Sequence, residues 1–161
     1  MSLEFISNEH MLFPTPLWQV QIKGVDNDAI KKYVYNLRDT TKGVVISNRG
    51  GWHSKDILEP IPEALENLFS NFQSFVNQYC AQITGLNQLK IGNFWFNINS
   101  KYDYNRTHDH QNSILSAVYY IDAKETISVR LSPKEMIRQN FFLVLTKIYL
   151  HLHRQVFQLF L

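Results

Sequence analysis

Two histidines one residue apart, His108 and His110, stand in the segment YNRTHDHQNSILSAVYYI, Tyr104 to Ile121. In an extended chain, residues two apart project to the same side. The pair can therefore bring two imidazoles to one ion while Asp109 faces away. Neutral imidazole suits Fe, Zn, Cu and Ni alike, and two histidines with one carboxylate on one face of Fe(II) leave positions open for a cosubstrate and dioxygen. If the loop bends, Asp109 replaces one of the two imidazoles. Taken alone the spacing is a weak signal, and a polar turn that contains histidines explains it as well. A second pair of the same spacing, His151 and His153, lies near the end of the chain.

The elements that must position these residues are legible in part. The segment QLKIGNFWFNINS alternates with a period of two. Phe94, Phe96 and Ile98 share one face of the expected strand, and Asn93, Trp95, Asn97 and Asn99 share the other. Lys101 to Thr107 reads as a polar loop. Ile114 to Ile121, rich in β-branched and aromatic residues, reads as a second strand. Trp18, Val20 and Ile22 alternate with glutamines as a half-buried strand after a loop from Leu12 to Pro16. Asp26, Asn27 and Asp28 offer caps for a helix to about Arg38, with Ile30, Tyr33, Val34 and Leu37 inward. NRGGWHS, Asn48 to Ser54, is a turn or loop around paired glycines.

The strongest helical pattern follows Pro62. Leu65, Leu68, Phe69, Phe72, Phe75, Val76, Tyr79, Cys80 and Ile83 keep three-and-four spacing, with Gly85 as the stop. This aromatic stripe is core, and Cys80 on it is a packed apolar residue and not a nucleophile.

Composition bounds the function classes. The chain has 161 residues, 45% hydrophobic and 19% charged, which suits one globular domain over 1–161. A net charge of +2 is too small to point to nucleic acid or an anionic membrane. A single cysteine forms no internal disulfide and fits a reducing compartment. The opening MSLEFISNEH has no signal-peptide pattern, and the apolar run from Phe141 to Leu152 is shorter than a membrane span. The expectation is a cytoplasmic protein with no membrane partner and an unknown substrate.

The ordered motifs resemble a family of phage and bacterial 2-oxoglutarate/Fe(II)-dependent oxygenases. Trp95 and Asn97 match a tryptophan-x-asparagine strand of that family. Asn105, Arg106, His108 and His110 match its Asn-Arg-x-His-x-His segment, and Ser116, Tyr119 and Tyr120 its Ser-x-x-Tyr-Tyr strand. Gly50, Gly51, Trp52 and Ser54 look like its Gly-Gly-Trp-x-Ser segment, and LFPTPLW like its opening strand. The similarity runs from about Phe13 to Ile121. It implies an α+β fold: a double-stranded β-helix, or jelly-roll, with N-terminal helices packed outside. It also implies Fe(II) and 2-oxoglutarate as cofactors and hydroxylation of a substrate. His108 and His110 are then the metal ligands. Asn97 and Arg106 are candidate contacts to the cosubstrate, against ordinary surface roles for each. Tyr119 and Tyr120 serve as wall and core, and Trp52 shapes a lid or anchors its loop.

After Asp122 the resemblance stops. From Lys124 onward there are six Lys or Arg, two Glu, one proline and no glycine. The segment 124–161 therefore reads as a divergent or disrupted tail, and its composition favours a lost reading frame near Ala123 to Ile127. In the divergent case His151 or His153 supplies the third ligand, while Arg154 sits too close behind to serve as the family's later arginine. Other readings are a cupin-like jelly-roll that binds without catalysis, and a dead remnant whose helical tail presents Phe141, Leu145, Ile148 and Leu152. A roll lacking its closing strands would leave open edges.

Overall fold

A computed structural model describes residues 17–57, 60–80, 82, 89–108, 110, 113–122, 141–145 and 154–160. Leu12 to Pro16, Ile83, Gly85, Asp109, Ile148 and His151 to His153 lie outside the described residues, as does 124–140.

The molecule is α+β. In chain order the elements are β1 (Leu17–Val20), α1 (Asn27–Thr40), β2 (Asn48–Arg49), β3 (Trp52–His53), α2 (Glu63–Phe75) with a π-helical turn at Val76–Cys80, then β4 (Asn93–Asn99), β5 (Tyr104–Asn105), β6 (Leu115–Asp122), β7 (Phe141–Leu145) and β8 (Arg154–Phe160). Six strands form one sheet in the order β1-β7-β6-β8-β4-β3, and β2 pairs with β5 in a separate ribbon.

Local chemistry explains the helices. The Asp26 carboxylate accepts from the Ala29 amide at 3.0 Å and caps α1. Its apolar stripe buries Ile30 and Val34. Glu63 and Glu66 occupy the first turn of α2, where the helix dipole favours acids. Leu65, Leu68, Phe72, Val76 and Cys80 are buried as the stripe requires. Tyr79 departs from it and is 50% exposed. The wider π-turn advances the chain by less than 100° per residue, so a phase counted at 3.6 residues per turn misplaces the last side chains. Burial pushes the Cys80 thiol up to about 11, which makes it a poor nucleophile at neutral pH.

The helices cover one face of the sheet. Phe94 and Phe96 of β4 and Leu115, Ala117, Tyr119 and Ile121 of β6 join Ile30, Val34, Leu65, Leu68 and Phe72 in one core. Phe69 meets Phe94 edge-on at 4.6 Å and Tyr33 meets Phe96 at 6.0 Å. The Tyr119 hydroxyl donates to Asn27 Oδ1 at 2.8 Å, and Lys31 pairs with Asp122, so α1 is tied to the C-terminal half of β6 at two points.

Two expectations about the tail are corrected. Phe141–Leu145 is a strand, not the start of a helical stripe, and β8 lies between β4 and β6, so both of those strands are paired. A short continuous apolar run such as FFLVL fits a buried strand or a helix equally by periodicity; hydrogen bonding to β1 and β6 on its two sides decides for the strand. The sheet also departs from an all-antiparallel roll at β7, which runs parallel to β1 and to β6. Among the described residues no helix is long and apolar enough to cross a membrane.

Candidate functional site

The sheet's second face carries the polar and aromatic residues. Alternation along β4 sends Trp95 and Asn97 away from the helices, and both are buried. Asn97, 1% exposed, is not on a solvent-facing side. The register opposes β3 to β4 with His53 beside Asn97 and Trp52 beside Ile98. Directly opposed residues share a face, so His53 joins Trp95 and Asn97, whereas Trp52 turns toward the helical core. Trp52 packs against that core and against Gly43, which anchors its loop and argues against a lid. On β6, Ser116 and Val118 face the same way as Trp95 through the shared register with β8. The Ser116 hydroxyl is buried without a hydrogen-bond partner among the described residues.

Gly50 and Gly51 make the link between the ribbon and the sheet. Both have positive φ, at 70° and 64°. A Cβ at Gly50 would strike the Asp103 carboxylate, and one at Gly51 would strike the Asn99 side chain and the Ile98 carbonyl. Only glycine permits this turn and this close approach together. The loop expected from Lys101 to Thr107 contains β5, whose Asn105 and Tyr104 pair with Asn48 and Arg49. The Arg106 amide then donates to the Ser47 carbonyl at 2.9 Å. The ribbon thus fixes the backbone just ahead of the histidine pair.

His108 and His110 come together. Their ring centroids lie 4.6 Å apart with planes at 82°. His108 Nδ1 lies 2.7 Å from the Arg106 carbonyl oxygen. A carbonyl accepts only, so Nδ1 carries the proton and Nε2 presents its lone pair. Metal-bound histidines are held in this way through their second nitrogen. The His110 ring leans on Trp95, with centroids 5.6 Å apart, and Trp95 stacks on His53 at 5.5 Å and 18°. Four rings therefore form a continuous packed array. Arg106 is exposed, and its backbone donates to Ser47 and accepts from His108. Tyr119 belongs to the helical core, and burial holds the Tyr120 phenol up at about 12.

Among the described residues no group of three or more His, Cys, Asp or Glu side chains converges on one point. Two adjoining imidazoles are present there, and Asp109, His151 and His153 lie outside the described residues.

His53 is the site residue that the motifs missed. It is 3% exposed, and its Nδ1 donates to the Ser54 carbonyl at 2.5 Å. Burial lowers its pKa, the Ser54 bond and Asp56 raise it, and His108 lowers it further, with a net fall. The folded state therefore binds less proton at this ring than the unfolded chain does. Stability rises with pH through this group, and its contribution is lost as pH falls below about 6.5 toward the lower folded value. Urea denaturation between pH 7 and pH 5 is expected to show this loss. His53→Gln removes this ring's share of the slope, at most about 1.4 kcal/mol per pH unit.

Ser54 locks the edge of the site. Its hydroxyl accepts from the Phe96 amide at 3.0 Å and donates to the Lys55 carbonyl at 2.7 Å, and its own amide donates to the Phe96 carbonyl at 3.0 Å. Ser54→Ala leaves the buried Phe96 amide without this acceptor. The expected loss is about 1–3 kcal/mol of stability, read from a lower urea midpoint at unchanged m value.

The sheet is backed by helices on one face, and its other face carries buried polar and aromatic residues beside two adjoining, partly exposed imidazoles. The model of the family described as "Putative 2OG-Fe(II) oxygenase" matches residues 93–148. The resemblance drawn from the sequence motifs is therefore shown over β4, the ribbon strand β5, both histidines and β6, about a third of the chain. The match also runs past Asp122, where the motif-based likeness stops, through β7. The comparisons with curated proteins and with solved structures found no match.

Proposed function

We propose that this chain is a 2-oxoglutarate/Fe(II)-dependent oxygenase domain that hydroxylates an organic substrate. One observation carries the reading: within the family-matched stretch, His108 and His110 adjoin, and His108 has its Nδ1 committed to a backbone carbonyl. The two Nε2 atoms would hold the iron, and Asp109, His151 or His153 would complete the ligand set. Iron and 2-oxoglutarate together supply the activation of dioxygen, at the expense of oxidising the oxoacid to succinate and carbon dioxide. The protein's own contribution is to hold, orient and keep dry. Trp95 buttresses the His110 ring, and the Asn97 amide stands on the same face to hydrogen-bond the oxoacid or the substrate. Arg106 would reach a carboxylate only by folding its exposed side chain inward.

In this reading the family's fold is a jelly-roll, from which this sheet departs at the parallel strand β7, and 124–161 is a divergent or disrupted form of its closing segment. Translating the neighbouring frame of the gene beyond Ala123 tests the latter. Family-like Gly, His and Arg residues there support a lost frame, and their absence there overturns it.

The activity test is succinate formation from 2-oxoglutarate under air with added Fe(II), followed by NMR. Turnover that needs the metal and disappears in both His108→Ala and His110→Ala is the expected result. Metal-independent or absent turnover, with intact folding, would leave a binding module of the cupin-like type.

A further inference from the structure

We propose that the exposed face of the β2–β5 ribbon binds single-stranded nucleic acid. Tyr102, Tyr104 and Arg106 are exposed and alternate with half-buried Asp103 and Asn105. Arg49 lies directly opposite Tyr104 in the ribbon and shares its face. The Lys101 ammonium stands 5.0 Å from the centre of the Tyr102 ring. Two aromatic rings and three cations thus line one short stripe. The stripe runs into the histidine pair, because Arg106, which ends it, accepts from His108 through its carbonyl.

Folding does not account for the rings. Tyr102 is 82% exposed and Tyr104 is 57% exposed. Tyr102 also has a φ of 76°, a left-handed conformation that is costly for a bulky side chain. Glycine or asparagine would make this turn with less strain. A strained backbone that holds a ring in water points to a use for the ring. Val45 and Ile46, just ahead of the paired Ser47, add exposed apolar area.

Charge decides the partner. A protein would cover aromatic and aliphatic area equally well, but three cations without an outward acid match a chain of phosphates. Asp103, the acid of this segment, is turned to its own loop, where it accepts from the Ser100 amide at 2.6 Å. The ion pairs among the described residues join Lys31 to Asp122 and Arg38 to Asp39, so Arg49, Lys101 and Arg106 are not neutralised there. The whole-chain charge of +2 averages this cluster away. Rings interleaved with cations bind single strands by stacking the bases while the cations follow the backbone. That the bound nucleic acid is also what the site oxidises rests on the oxygenase reading; the binding does not.

Fluorescence anisotropy of a labelled oligothymidylate of about 12 nucleotides, within the usual site size, tests this with the full chain and no added metal. Log affinity is expected to fall with log salt at a slope of about −2, the value for three phosphates neutralised on a single strand. Tyr102→Asn, which suits the left-handed turn, and Tyr104→Ala should each weaken binding about tenfold, the loss of one stacked base. Lys101→Gln should flatten the slope by about 0.7. All three positions are exposed, so an unchanged urea midpoint shows that contact and not fold was lost. Absence of binding at low salt, binding indifferent to both tyrosines, equal binding of a duplex, or tighter binding of polyglutamate would each overturn the proposal, the last in favour of an acidic protein partner. Succinate formation reports separately on the oxygenase reading. Turnover without oligonucleotide binding overturns this proposal alone, and binding without turnover overturns the oxygenase reading alone.

Discussion

Removal of the His108 imidazole is expected to weaken Co(II) binding by at least about 100-fold. Outer partners of metal ligands typically cost 10- to 100-fold when they are mutated, and a ligand costs no less than its support. The measurement is built into the site. Trp95 contacts His110 and is one of three tryptophans, so a paramagnetic ion bound by the pair should quench its emission. Titration of the wild type and of His108→Ala by that signal gives the ratio directly. His108→Gln, which keeps a polar side chain of similar reach, should not restore the affinity, because an amide lacks the imidazole lone pair that Arg106 helps to aim. Equal affinities in the three proteins would mean that the two rings adjoin without gripping an ion.

Phe96→Ala is expected to destabilise the fold by about 3–5 kcal/mol, the usual cost of removing a buried aromatic ring. Phe96 is 1% exposed and meets Tyr33 and Phe94 edge-on. It therefore joins β4 to α1 and lies beside the phenylalanine that contacts α2. A lost ring here leaves a cavity between sheet and helices that neither helix can fill without moving the other. Urea denaturation followed by circular dichroism should show a lower midpoint. Because that magnitude is comparable to the total stability of many domains, low expression of the folded form is part of the expected result. A loss below about 1 kcal/mol would show that this face is not the core. The site face should respond differently: a change at the partly exposed His108 should alter metal binding well before it alters the midpoint.

How much was legible in the sequence depends on the range of the interaction concerned. The helix from Asn27 to Thr40 follows from Asp26 as a cap and a stripe at Ile30 and Val34, all within a few turns. The two-faced strand at Asn93–Asn99 follows from alternation alone. The spacing of His108 and His110 suffices to suggest that both imidazoles turn to one side, and the structure places their ring centroids 4.6 Å apart. The phase at Tyr79 was lost because a π-turn breaks the helical repeat without leaving a mark in composition.

Sequence by itself determined which residues are apolar at which period, where the chain must turn on glycine, and that two imidazoles share a short segment. These depend on neighbours along the chain, where covalent geometry sets the distance. Only the tertiary structure decided that β7 and β8 are strands, that Asn97 is buried, and that His53 stands beside it. Each of these depends on which strand lies alongside which. Strand register is chosen by packing and hydrogen bonds between segments tens of residues apart, and a shift of one residue would have sent His53 to the opposite face.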